Sequence, residues 1–125
     1  MTKTIGATAW AIAEGYIPGA STGTTPALIS HETVCILNAG ARDAAVRITI
    51  FFADRDPAGP YVFTVAARRT RHVKFNDFSA PEAIPRDTDF ASLIESDVPI
   101  VVQHTRLDSR QPALALMSTV AFPGV

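Results

Sequence analysis

The chain has 125 residues and a mass of 13.3 kDa, room for one domain built around one core. Hydrophobic residues make up 47% of it and charged residues 18%, a balance that excludes a disordered tail as its main character. A net charge of −1 provides no global field toward nucleic acid or an anionic membrane, so contact with either would have to be local. No apolar run approaches the roughly 18 residues of a membrane span, and the N-terminus lacks the pattern of a secretory signal, so a soluble, cytoplasmic protein is expected. Cys35 is the only cysteine, which excludes an intramolecular disulfide; its neighbours Val34, Ile36 and Leu37 point to an inert buried thiol.

Nine prolines and seven glycines divide the chain into short pieces rich in Val, Ile, Thr and Phe, the pattern of an all-β protein. The expected strands are Gly6 to Ala13, Ala27 to Asn38, Ala44 to Ala53, Tyr61 to Ala66, Arg68 to Asn76, Phe90 to Glu95, Pro99 to Arg106 and Ala113 to Phe122. Eight strands of this length suit a single antiparallel β-sandwich, jelly-roll-like, over residues 1–125. In the first strand Trp10, Ile12 and Glu14 share a face. That face reads either as a stacking plane with a carboxylate at its rim or, more plainly, as a core tryptophan beside a solvated acid. His31 and Glu32 open the second strand on opposite faces, so they cannot serve one small site without a bulge.

Val46, Ile48, Ile50 and Phe52 alternate with Arg47 and Thr49, which predicts a strand with one wet face. Tyr61, Phe63 and Val65 alternate with Val62 and Thr64, so that strand is largely apolar on both sides. It should be central in its sheet or covered by another subunit, and a homo-oligomer is expected. Asp54 to Pro60 and Asn38 to Gly40 have turn chemistry, and Pro18 to Pro26 and Phe78 to Pro85 read as loops. Arg68 to Lys74 is the one dense basic segment. Arg69 and Arg71 fall on the face of Val73 and Phe75, while His72 and Asn76 fall on the other with Lys74. Charge spread over both faces without interleaved aromatics argues against nucleic acid. It suits recognition of a carboxylate, pairing between subunits, or protection of a sheet edge.

Asp87 to Ser96 reads as a strand, although Asp87 or Thr88 could cap a short helix carrying Phe90, Leu93 and Ile94. Ser96 to Pro99 then reads as a turn into the last polar-tipped strand, where Ile100, Val102, His104 and Arg106 share a face and Asp108 follows. His104 and Arg106 could hold a polar ligand, oriented by Asp108; a salt-bridged strand end is the plainer reading. His31, His72 and His104 have no zinc-like spacing, so no metal or other cofactor is expected. No nucleophile elbow, phosphate-cradling glycine loop or paired-carboxylate motif is present, so no catalytic residue is assigned and the protein is not expected to be an enzyme.

The segments HETVCILNAG, ARRTRHVKFND, DTDFAS and VPIVVQHTRLDSRQ, with WAIAEGY near the start, resemble the sensory rhodopsin transducers along nearly the full chain. The resemblance implies a small cytoplasmic β-sandwich that assembles as a tetramer and couples a membrane-embedded sensory rhodopsin to cytoplasmic partners. Relatives without a rhodopsin are viewed as small-molecule binding domains, and a sugar- or sugar-acid-binding domain without a rhodopsin partner is the alternative function here. Carried onto this chain, the resemblance makes Trp10, Glu14, His31, Glu32, Arg69, His72, Asn76, Asp89, His104, Arg106 and Asp108 the candidate ligand-site positions. It carries over no catalytic set.

Overall fold

The pieces rich in β-branched and aromatic residues form eight antiparallel strands in the computed structural model, which describes residues 3–23 and 25–124. They are β1 (Ala7–Tyr16), β2 (His31–Asn38), β3 (Ala44–Phe52), β4 (Ala58–Val65), β5 (Arg69–Lys74), β6 (Asp89–Asp108), β7 (Ala115–Val120) and β8 (Phe122–Pro123). Two sheets, ordered β4-β3-β6-β1-β8 and β5-β2-β6-β7, face each other as a sandwich.

The strand common to both sheets corrects the expected turn at Ser96 to Pro99. β6 is one strand of 20 residues, and Asp89 to Ser96 of the segment Asp87 to Ser96 form its first half, a strand as expected and not a helix. At about 3.3 Å per residue a straight strand of this length would reach about 65 Å, while a domain of this size is roughly 35 Å across. β6 therefore bends. Its first half pairs with β1 and β3, and its second half with β2 and β7. Asp97, Val98 and Pro99 have no ladder partner on either side. Proline lacks the N–H that a ladder needs, so it sits where one ladder ends and the next begins. Asp97 accepts the Ala45 N–H at 2.8 Å, fixing the bend against β3. Gly6, at φ +106°, lets the start of β1 approach the same region: a Cβ there would lie 2.2 Å from the Ile100 carbonyl oxygen.

Alternation fills the space between the sheets. Val46, Ile48 and Ile50 of β3 are buried as their spacing requires, and they meet Val34 and Ile36 of β2 with Ile94, Ile100 and Val102 of β6 in one core. Each such side chain contributes roughly 1.5–3 kcal/mol on burial. An aromatic cluster closes one side: Phe78 stacks on Tyr61 at 5.0 Å, and Phe75 meets Phe78 and Phe90 edge-on at 5.3 and 5.4 Å.

Several boundaries differ from expectation. The chain before His31 forms a single 3-10 turn, Pro26–Leu28, not the start of a strand, and Phe75–Asp77 forms another after β5. Strand β4 is an edge strand, not central: Tyr61, Phe63 and Val65 turn inward and Val62 is left 66% exposed. Cys35 is only half-buried, because its side of β2 is the outer one, where Sγ lies 3.9 Å from Thr105 Oγ1.

Candidate functional site

Two paired strands, β2 and β6, bring a carboxylate, an imidazole and a guanidinium together inside the sandwich. Pairing of β2 with β6 sets Glu32 opposite Arg106 and Val34 opposite His104, all on the inward face. Glu32 is completely buried, and its two oxygens take four donors. One oxygen accepts Arg106 Nε at 3.0 Å, Arg106 Nη2 at 2.6 Å and the Tyr16 backbone N–H at 2.5 Å. The other accepts from His104 Nε2. A carboxylate only accepts, so Nε2 carries the proton of this imidazole. The guanidinium reaches outward as well, with Nη1 3.0 Å from Glu14 at the surface of β1. Burial acts most strongly on Arg106 and lowers its pKa, but hydrogen bonds and charge from Glu32, and then from Glu14, outweigh it and the net direction is upward. Asn76 supports the cluster from beneath, accepting the Glu32 backbone N–H at 3.2 Å and donating to the Ser30 carbonyl at 3.1 Å.

Glu32 is wholly buried and both of its oxygens already hold donors from the protein, so the cluster is chemically a clamp between the two sheets and not an open ligand subsite. A belt of surface contacts lies beside it. Asp108 pairs with Arg110 at 2.7 Å, the Arg110 guanidinium lies 5.8 Å above the Tyr16 ring, and Tyr16 and the Gly19 N–H both reach Asp87. Hydrogen bonding from Arg110 holds the Asp108 carboxyl below the usual range. Asp87 adopts the left-handed backbone, φ 54°, which its residue type tolerates in a turn.

A second site opens where the sandwich edges do not meet. Strand β4 ends one sheet and β5 ends the other, and between them lies a groove of about 610 Å³. Tyr61, Phe63 and Phe78 form its floor, and Arg71, His72 and Lys74 line its β5 side. Arg71 spans the gap: Nη1 donates to the Thr64 carbonyl at 2.7 Å and the guanidinium covers the Phe63 ring at 5.1 Å. A smaller cavity of about 420 Å³ lies near the β6 bend, beside Lys3, Arg42 and Arg68. Among the described residues, no group of three or more His, Cys, Asp or Glu is placed to hold a metal ion.

The family profile described as Anabaena sensory rhodopsin transducer matches residues 5–123. The chain belongs to that family. A solved structure, "Anabaena sensory rhodopsin transducer", is 64% identical, with a TM-score of 0.76, covering 83% of this chain and 100% of its own. A second, "Crystal Structure of Thermotoga maritima 1070", is 31% identical with a TM-score of 0.85, covering 95% and 96%. No curated protein gives a significant match.

Within this transducer-family fold, the positions carried over from the sequence divide into separate places. Glu14, Glu32, His104 and Arg106 meet, with Asn76 beneath them. Trp10 is not a stacking plane: it is buried in the core and its Nε1–H is shared between the Ala7 and Ile100 carbonyls, each at 3.0 Å. His31 points away from Glu32, as alternation demands, and a ring nitrogen contacts the Ile29 carbonyl at 2.7 Å. Asp108 is held by Arg110, and Asp89 is exposed opposite Tyr16. Arg69 and His72 lie on the β5 edge, where His72 joins the groove wall. The groove itself, and the parts of Tyr61, Phe63, Phe78 and Lys74 in it, were missed. The usable signal was Arg71, whose parity with Val73 and Phe75 turns it toward the interior from an edge strand.

Proposed function

We propose that this chain is a sensory rhodopsin transducer that docks reversibly on the cytoplasmic side of a membrane sensory rhodopsin and relays its state to cytoplasmic partners. Membership of the transducer family over residues 5–123 carries this reading. No helix among the described residues is long and apolar enough to cross a membrane. The proposed contact is electrostatic and uses the β5 edge, where Arg69 and Arg71 stand exposed at the end of a sheet. Such a contact weakens as the screening length falls from about 10 Å at 0.1 M salt to about 3 Å at 1 M. Surface titration against a purified sensory rhodopsin tests it: binding should fall with salt and in Arg69→Ala. Affinity unchanged by both would remove the docking surface from β5.

The same reading includes a homo-oligomer, with a tetramer expected. Support comes from the C-terminal strands, where Leu116, Val120 and Phe122 are 71%, 60% and 76% exposed on β7 and β8, each at a sheet edge. Exposed apolar edges invite pairing between chains. Light scattering should return four protomer masses, reduced by Leu116→Ser with Val120→Ser; a single-chain mass for the unaltered protein ends this part of the proposal. The groove between β4 and β5 supports a second reading, that the transducer also binds a small polar molecule.

A further inference from the structure

We propose that the groove between β4 and β5 binds a small organic molecule carrying a single carboxylate, with Arg71 and Lys74 as the groups that recognise it. The inference rests on the ligand-binding reading above and adds the chemical class. At about 610 Å³ the groove falls within the range of roughly 300–1,000 Å³ usual for small-molecule sites. Its apolar surface comes from Phe63, Val73 and the outward-facing Val62, and its polar surface from Arg71, His72, Lys74 and Asp77.

Charge selects the ligand. None of Arg71, His72, Lys74 and Asp77 belongs to an ion pair among the described residues. Two cations against one carboxylate leave the groove a single net positive charge when His72 is neutral, which matches a monoanion and under-neutralises a dianion such as a phosphate ester. Geometry selects it too. One arm of the Arg71 guanidinium is held by Thr64 and its face by Phe63, so the plane is set before a ligand arrives, while Nε and Nη2 have no partner among the described residues. Two N–H groups on one rigid plane fit the two oxygens of a carboxylate, and a guanidinium fixed in advance loses little freedom on binding.

Benzoate and its uncharged analogue benzamide, titrated by ligand-observed nuclear magnetic resonance at low salt, test the proposal without any rhodopsin. Benzoate should bind at least about tenfold more tightly than benzamide, the discrimination expected of a charge-assisted contact. Arg71→Gln and Lys74→Gln should each abolish that preference. The Lys74 side chain makes no hydrogen bond or ion pair among the described residues, so its substitution leaves the fold intact even if Arg71→Gln disturbs the β4 contact. Arg42→Gln, at the smaller cavity, should change nothing. Equal binding of benzoate and benzamide, displacement of benzoate by inorganic phosphate, or a preference that survives Lys74→Gln would overturn the carboxylate assignment while leaving a ligand site. Binding of neither compound would overturn the assignment and the ligand-binding reading together.

Discussion

Removing Arg106 should damage this protein far more than removing its surface partner Glu14. Arg106 supplies two of the four donors on Glu32, a carboxylate with no exposed surface. Arg106→Ala leaves that charge buried with only His104 and one backbone N–H, and breaking a buried pair in this way costs about 3–5 kcal/mol. Glu14 is 72% exposed, so Glu14→Ala should cost only about 0.2–1 kcal/mol. Replacing both buried partners, Glu32→Met with Arg106→Leu, removes the uncompensated charge. This double variant frees two buried groups, the Tyr16 N–H and His104 Nε2, at about 1–3 kcal/mol each, and with no unpaired charge left it should still be no less stable than Arg106→Ala alone. Urea unfolding at one fixed protomer concentration measures all three, since assembly would otherwise shift the midpoints. A loss below about 1 kcal/mol for Arg106→Ala would mean that water reaches Glu32 and that the clamp is no clamp. So would a double variant less stable than Arg106→Ala.

Tyr61 gives an alkaline signature: burial first, then the Glu82 charge, raise its pKa above the ordinary value of 10.0 against the opposing effect of Arg55. The folded state then holds the proton longer than the unfolded one, so this stability is intact below about pH 10 and declines as pH rises through the folded value. Tyr61→Phe should abolish the decline and, by losing the 2.7 Å bond to the Glu82 carbonyl, cost about 1 kcal/mol at neutral pH; an unchanged alkaline slope in unfolding experiments would refute it. Asp108 works in the opposite direction, since Arg110 lowers its pKa from 3.8: its contribution is present above that value and disappears as pH falls through the folded one. Acid unfolding should therefore lose this component in Arg110→Ala. Gly6→Ala forces both a positive φ and a collision with the Ile100 carbonyl, and should destabilise by more than about 1 kcal/mol, read as a lowered thermal midpoint; a midpoint within error of the unaltered protein would contradict the close approach of β1 to β6.

Local patterning carried the strands well and their partners poorly. Val46, Ile48 and Ile50 announced a half-buried strand because side-chain alternation is a property of consecutive residues. Asp97 and Pro99 signalled an interruption of hydrogen bonding, and in one dimension an interruption at a turn looks the same as one where a strand leaves a sheet for another. Glu32, His104 and Arg106 were recognisable as unusual because each follows or precedes a run of apolar residues on its own face. Their role was not recognisable, since whether such groups face a ligand or one another depends on the register between β2 and β6, which brings together Glu32 and His104 from 72 positions apart. The groove was hidden for a related reason. It is bounded by β4 and β5, neighbours in sequence that end different sheets, with only residues 66–68 between them.

The sharing of β6 bears on how the molecule comes apart. In a sandwich whose sheets use separate strands, one sheet can fray while the other keeps its ladder, and exchange of backbone hydrogens reports two levels of protection. Here the central strand of each sheet is half of the same strand, and the Glu32 clamp joins β1, β2 and β6 near its end. Opening either sheet down to its middle pulls on the register of the other through the bend at 97–99. Amides of β2 and β3, although in opposite sheets, should therefore exchange through one common opening event of similar free energy, while the edge strands β5 and β7 exchange sooner.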